Sequence, residues 1–168
     1  MATYSFTDNM CSISGPGGIG FSLGYGSCNS EGGISVVMVE DKNTMTIGAD
    51  GCVMHNLHAG KGGTVTVRLL KTSPTNSQLS QMYGIQTQQS GMHGLNTISI
   101  RDMARNDVIV CQLCAFKKFA DLTYAKDGGE MVWVFDAGVI DFYLGSNLEP
   151  TGAAGFVAGG GAAIGGAG

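Results

Sequence analysis

Cys111-Gln112-Leu113-Cys114 has the Cys-x-x-Cys spacing that serves metal binding and thiol exchange. Residues three apart on a strand point to opposite faces, so these two thiols share an ion only if the strand breaks, and no second cysteine pair completes a set. They are expected to pack as small hydrophobes. His55, His58 and His93 are the other candidate ligands or bases. None sits in a His-x-x-Glu-type spacing, and no serine occupies a Gly-x-Ser-x-Gly elbow.

Two glycine motifs invite a phosphate reading. Gly15-Pro16-Gly17-Gly18-Ile19-Gly20 satisfies Gly-x-Gly-x-x-Gly, but that fingerprint must end a strand and open a helix, and Phe21-Ser22-Leu23 reads as a strand. It is expected to be a glycine turn. Gly60-Lys61-Gly62-Gly63 resembles part of a Walker loop. That pattern would need glycine where His55 stands and a hydroxyl where Gly62 stands, so the expectation is a mobile loop whose one charge could meet a partner's carboxylate.

Most of the carboxylates fall near turns or strand ends, among them Asp50, Asp107, Asp121, Asp127 and Asp136. They are solvated turn residues, or some of them line an interior channel and repel phosphate. No catalytic residue, metal site or cofactor site is read from the chain.

The elements that hold these residues are mostly strands. Val65, Val67 and Leu69 alternate with Thr64, Thr66, Arg68 and Leu70, the period of two that buries one face. Ser73 then reads as an N-cap with Pro74 at the first helical position, where its missing N–H costs nothing. Leu79, Met82 and Tyr83 give a helix over about Pro74–Tyr83 an apolar side and a Ser/Gln side.

Further strands are expected near Thr3–Phe6, Ser12–Ser14, Phe21–Leu23, Ile34–Glu40, Thr44–Ile47 and Cys52–His55 ahead of Thr64–Leu70. After the helix come Thr97–Arg101, Val108–Phe116, Asp121–Tyr124, Glu130–Phe135 and Val139–Leu144. Asp41-Lys42-Asn43, Arg105-Asn106-Asp107 and Lys126-Asp127-Gly128-Gly129 read as hairpin turns. Many strands with one helix make a mainly β fold, antiparallel, as a barrel or sandwich flanked by the helix.

At 168 residues the chain suits one domain, residues 1–150, followed by a Gly/Ala-rich tail, residues 151–168. The tail is read as a mobile terminus or as a segment ordered against a neighbouring subunit. Its apolar run is too short to cross a bilayer as a helix, so no membrane anchor is expected. Charged residues make up 13%, about half of the usual share, which implies that other copies of the chain cover much of the surface. Net charge is −4 and the basic residues are scattered, which excludes a nucleic-acid-binding footprint while permitting a conduit that does not retain phosphate. Five cysteines, an odd number, with no basic and apolar leader after Met1, fit a reduced, cytoplasmic chain.

The run from Gly60 to Pro74 through Asn76-Ser77-Gln78-Leu79, with Ile98–Arg101 and Val132–Asp141 after it, resembles tail tube proteins of contractile-tailed bacteriophages. The likeness spans roughly Ile34 to Leu144. It implies six copies to a ring, rings stacked into a hollow tube, and strands of all copies joined in one inner barrel. A loop within Glu40–Gly63 would reach the next ring, making Glu40, Asp41, Lys42, Asp50, His55, His58 and Lys61 the candidate contact residues. Asp107, Asp121 and Asp136 would be the candidate lumen carboxylates. The helix would face the sheath protein, with baseplate and tail terminator proteins as further partners and DNA passing through the lumen without specific binding. The resemblance places the chain in the virion tail, assembled in the host cytoplasm. A ring protein of a bacterial contractile injection or secretion system, or a monomeric β-sandwich binding module, are the alternatives.

Overall fold

The alternating run at Thr64 carries the centre of the fold. In the computed structural model, which describes residues 3–145, Val65, Val67 and Leu69 are fully buried and the residues between them face outward. They belong to the strand Gly63–Leu70, sixth in chain order. The others are β1 Asn9–Ser14, β2 Gly20–Ser22, β3 Asn29–Met38, β4 Asn43–Ile47, β5 Val53–Leu57, β7 Asn96–Asp102, β8 Asp107–Lys118 and β9 Glu130–Tyr143, with β6 as given. Seven form one sheet in the order β2-β1-β7-β8-β9-β6-β3, every pair antiparallel, and β4 pairs only with β5. The sheet curls, so that Ile34 and Val36 of β3 line a cleft with Ile100 of β7 and Ile109 of β8.

One helix, α1 (Thr75–Gln88), packs on the inner face. Leu79 and Met82 are buried there, as their spacing predicts. Tyr83 meets Phe116 and Phe119 edge to face at centroid distances of 5.5 and 5.3 Å, and Phe119 meets Trp133 at 5.0 Å. The helix begins at Thr75 with Pro74 in the cap position, one residue later than expected; the Ser73 hydroxyl still accepts the Thr75 N–H at 3.3 Å and donates to the Ser27 carbonyl, which ties the helix start to the chain before β3. The helix runs past Tyr83 because Gln86 is buried in a reciprocal amide pair with Asn96 (2.6 and 2.7 Å), a polar contact that hydrophobic spacing does not reveal.

Several strand expectations need correction. Thr3–Phe6 is not a strand; its end enters a 3-10 turn, Phe6–Asp8, capped by the Ser5 hydroxyl. Asp121–Tyr124 is irregular. The two segments expected at Glu130–Phe135 and Val139–Leu144 are one 14-residue strand, β9. Its burial pattern changes phase between Ala137 and Ile140, which makes one strand look like two.

The same irregularity brings Cys111 and Cys114 to one face. β8 carries an extra residue against β7 between the pairs Ile98↔Cys111 and Asn96↔Cys114, with Leu113 at φ 55°. Both thiols are therefore buried, and Cys111 lies near Cys11. Burial raises the Cys11 thiol to about 12, with Cys111 as a second cause, and the Cys111 thiol to about 11. Such thiols are neutral packing groups. The Gly15–Gly20 motif is a turn joining β1 to β2, with Gly17 and Gly18 at positive φ.

Candidate functional site

The β4–β5 hairpin rises from the segment expected to act as a contact loop. Strands were expected there at Thr44–Ile47 and Cys52–His55, but Asp41-Lys42-Asn43 is not a hairpin turn. It carries the chain out of the main sheet and into a second one, because β3 and β4 do not pair. The turn of the hairpin is Gly48–Cys52, where the Gly48 N–H donates to the Cys52 carbonyl at 2.7 Å and Gly51 takes φ 89°. Asp50 closes it by accepting the Cys52 N–H at 3.1 Å. That bond, the Cys52 thiol and the Asp50 backbone hold its carboxyl below the usual carboxylate range.

The base is fastened by Lys42, whose Nζ donates to the carbonyls of His58 (3.3 Å) and Gly60 (2.6 Å). His58 Nε2 lies 2.8 Å from the Thr44 hydroxyl, and His55 Nδ1 lies 3.2 Å from the Asn43 amide. Glu40 and Asp41 share a shallow recess with Thr44 and His58. Hence Glu40, Asp41, Lys42, His55 and His58 gather around the base and lower half of the hairpin, while Asp50 stands at its tip. Lys61 lies beside the base, its Nζ 3.4 Å from Asp141 of its own chain, with both groups well exposed.

Directly opposed residues share a face of a two-stranded ribbon. The pairs Asn43↔Leu57, Met45↔His55 and Ile47↔Val53 therefore place Met45, Ile47, Val53 and Leu57 together. They are 53, 60, 54 and 85% exposed. A lone hairpin is at best marginally stable in water, and a bare apolar face on one marks a contact surface. These four residues were missed as site residues. The alternation Met45-Thr46-Ile47 carries the signal, while the charged residues and glycines lie on its flanks.

Gly60-Lys61-Gly62-Gly63 is not a mobile loop. The Gly62 carbonyl accepts the Val39 N–H at 3.1 Å, the Lys61 carbonyl accepts the Ile140 N–H at 2.8 Å, and Gly63 is the buried first residue of β6. A Cβ on Gly63 would lie 2.5 Å from the Val37 carbonyl oxygen and overlap Ile140, whereas one on Gly60 would meet only the swinging end of Glu40. Gly63→Ala is expected to cost about 2 kcal/mol and Gly60→Ala less than about 0.5 kcal/mol in urea unfolding. Equal costs would show that Gly63 is not packed in this way.

The three candidate lumen carboxylates are not brought together. Asp107 and Asp121 lie near opposite ends of β8, Asp107 at the β7–β8 turn and Asp121 3.4 Å from Lys118 in the connection to β9. Asp136 is not at a strand end but inside β9, where it pairs with Thr64 and Ala115 on the outward face of the sheet. Asp141 projects from the same face, opposite Val110. Among the described residues no group of His, Cys, Asp or Glu is arranged to hold a metal ion, and no helix is long and apolar enough to cross a membrane.

Residues 1–145 match the family model described as bacteriophage PhiTE tail tube protein. No curated protein matches the sequence. Among solved structures, the sheath/tube terminator of the PVC extracellular contractile injection system is similar at a TM-score of 0.58 and 12% identity, covering 85% of this chain and 98% of its own. A chain of the PVC sheath-tube complex is similar at 0.53 and 11%, covering 84% and 92%. A chain of the anti-feeding prophage tube-terminating cap is similar at 0.53 and 8%, covering 86% and 94%. At such identities the likeness is one of fold.

Proposed function

The chain belongs to the bacteriophage PhiTE tail tube protein family, a structural component of the virion tail, and from that membership we propose that it builds the tube as stacked rings of six copies through which DNA is ejected. The observation that carries this reading is the β4–β5 hairpin, which stands off the main sheet with Met45, Ile47, Val53 and Leu57 bare. On a neighbouring ring that face finds cover. Glu40, Asp41, Lys42, His55 and His58 then frame the contact at its base, and Asp50 fixes the tip.

Within a ring, β2 and β3 are the outer strands of the seven-stranded sheet and offer unpaired backbone groups to neighbouring copies. Joining such edges closes one barrel from the sheets of all copies. The outward sheet face carries Thr64, Thr66 and Asp136, with Arg68 beyond them and Asp141 beside Lys61, and with its few, mixed charges it supplies a wall that does not retain phosphate. Asp107 and Asp121, at the two ends of β8, sit where the lumen meets the adjoining rings. The α1 surface of Ser77, Gln78, Gln81 and Gln88 carries no charge and faces the sheath, with baseplate and terminator proteins at the tube ends. Residues 1–150 act as the tube domain and 151–168 as an appendage. The role is architectural, with no reaction to catalyse.

Electron microscopy of the purified chain tests the reading. Hollow tubes of stacked six-fold rings are the expected result. A monodisperse monomer at tens of micromolar, with no tubes at any salt concentration, would overturn it.

A further inference from the structure

The inner face of the sheet is not filled at one end. A cleft of about 260 Å³ opens there between Tyr4 and Phe6 of the N-terminal arm, Ile34 and Val36 of β3, and Ile100 and Ile109 of β7 and β8; its one polar corner is Asn9, whose amide donates to the Tyr4 hydroxyl at 2.9 Å. Apolar walls around unfilled space forfeit contacts that a close-packed interior would make. The row of pairs Cys11↔Ile100, Ile100↔Ile109 and Ile109↔Phe142 continues this apolar face out to Phe142, which is 58% exposed. Core-type surface therefore runs to the last turn of β9 with nothing on it.

The chain leaves the described fold at the same place. Gly145 lies against the backbone of Arg105 and Asn106 at the β7–β8 turn, three residues beyond Phe142. Beyond it, Gly152–Gly168 holds no charge, and its large apolar residues are Phe156, Val157 and Ile164 among glycines and alanines. The family match covers residues 1–145, so this segment lies outside it. Ten residues lie between Gly145 and Phe156, a reach of up to about 36 Å when extended.

We propose that Phe156 and Val157 occupy the cleft of their own chain and complete its core. Phe156 is the one ring-sized group in the segment, and small flanking residues let its backbone approach the cleft wall closely. A short connection supplies an effective concentration in the millimolar range, which favours the chain's own cleft over that of a second copy. The other residues of Gly152–Gly168 are glycine, alanine and Ile164, none of which opposes burial.

Cross-linking tests this on the full chain with the exposed Cys28 and Cys52 changed to serine. Tyr4→Cys with Ala158→Cys is expected to form an intrachain disulfide under mild oxidation, seen as a faster band without reductant. Adding Phe156→Asp should abolish it, and Tyr124→Cys with Ala158→Cys should form none. A cross-linked dimer would overturn the assignment to the same chain. Cross-linking that persists with Phe156→Asp, or that is equal at Tyr124, would overturn the proposal altogether. In the otherwise unchanged protein, Phe156→Asp should lower Tm by about 5 °C, as much as removing residues 146–168. An unaltered Tm would also overturn it.

Discussion

Met45→Thr, Ile47→Thr and Leu57→Thr together are expected to give a folded, soluble protein that forms no tubes. Threonine keeps the strand preference of these positions, so β4 and β5 still pair, while the apolar face is removed. None of the three touches the main core, since each is more than half exposed. If they are covered in the assembly, each contributes about 1.5 kcal/mol or more, so their loss weakens one inter-ring contact by about 4.5 kcal/mol, a factor of about a thousand. Every contact in a ring weakens at once. Thr46→Ser, on the opposite face of the ribbon, should leave assembly unchanged. Electron microscopy and sedimentation of the two variants make the comparison, with circular dichroism confirming the fold. Normal tubes from the triple variant would remove the hairpin from the stacking contact.

Trp133→Ala is expected to have the largest effect on stability. Its ring is fully buried between Phe116 and Phe119, and its Nε1 donates to the Asn76 side-chain carbonyl at 3.0 Å. Truncation of a buried tryptophan costs about 3–5 kcal/mol in lost packing. Here it also strips Asn76 of a donor while the Asn76 amide still holds the Leu70 carbonyl at the start of the helix. The loss is a large part of the total stability of an ordinary domain, so Tm should fall by about 10 °C or more. Trp133→Phe keeps most of the packing and should cost about 1–2 kcal/mol, chiefly the hydrogen bond. Because Trp133 is the single tryptophan, far-UV circular dichroism rather than fluorescence is the measurement. A loss below 1 kcal/mol for the alanine variant would contradict the packing described.

The legible parts of the sequence were those where one side chain's neighbours in the chain are also its neighbours in space. The alternation at Val65–Leu69 and the bond from the Thr75 N–H to the Ser73 hydroxyl are of this kind, although the cap position itself falls on Pro74. The hairpin was legible as two strands, but its separation from the main sheet was not. Pairing partners are chosen between distant segments, and β3 is paired with β6 rather than with β4, across a gap that includes the whole hairpin. Asp136 looked like a turn residue for a related reason. The phase change near Gly138 in β9 answers the extra residue at Leu113 in β8, and neither can be read without the other strand beside it.

Local periodicity, turn chemistry and composition by themselves determined a mainly β chain with one helix and few charged residues. Family resemblance added the tube. Only the tertiary structure decided that Cys111 and Cys114 share a face, that Lys61 is engaged by Asp141, that Gly63 is a packing position, and that the apolar side of the hairpin is left uncovered. These depend on register, and register is set by which strands meet across the sheet, where a single added residue turns every later side chain to the other face.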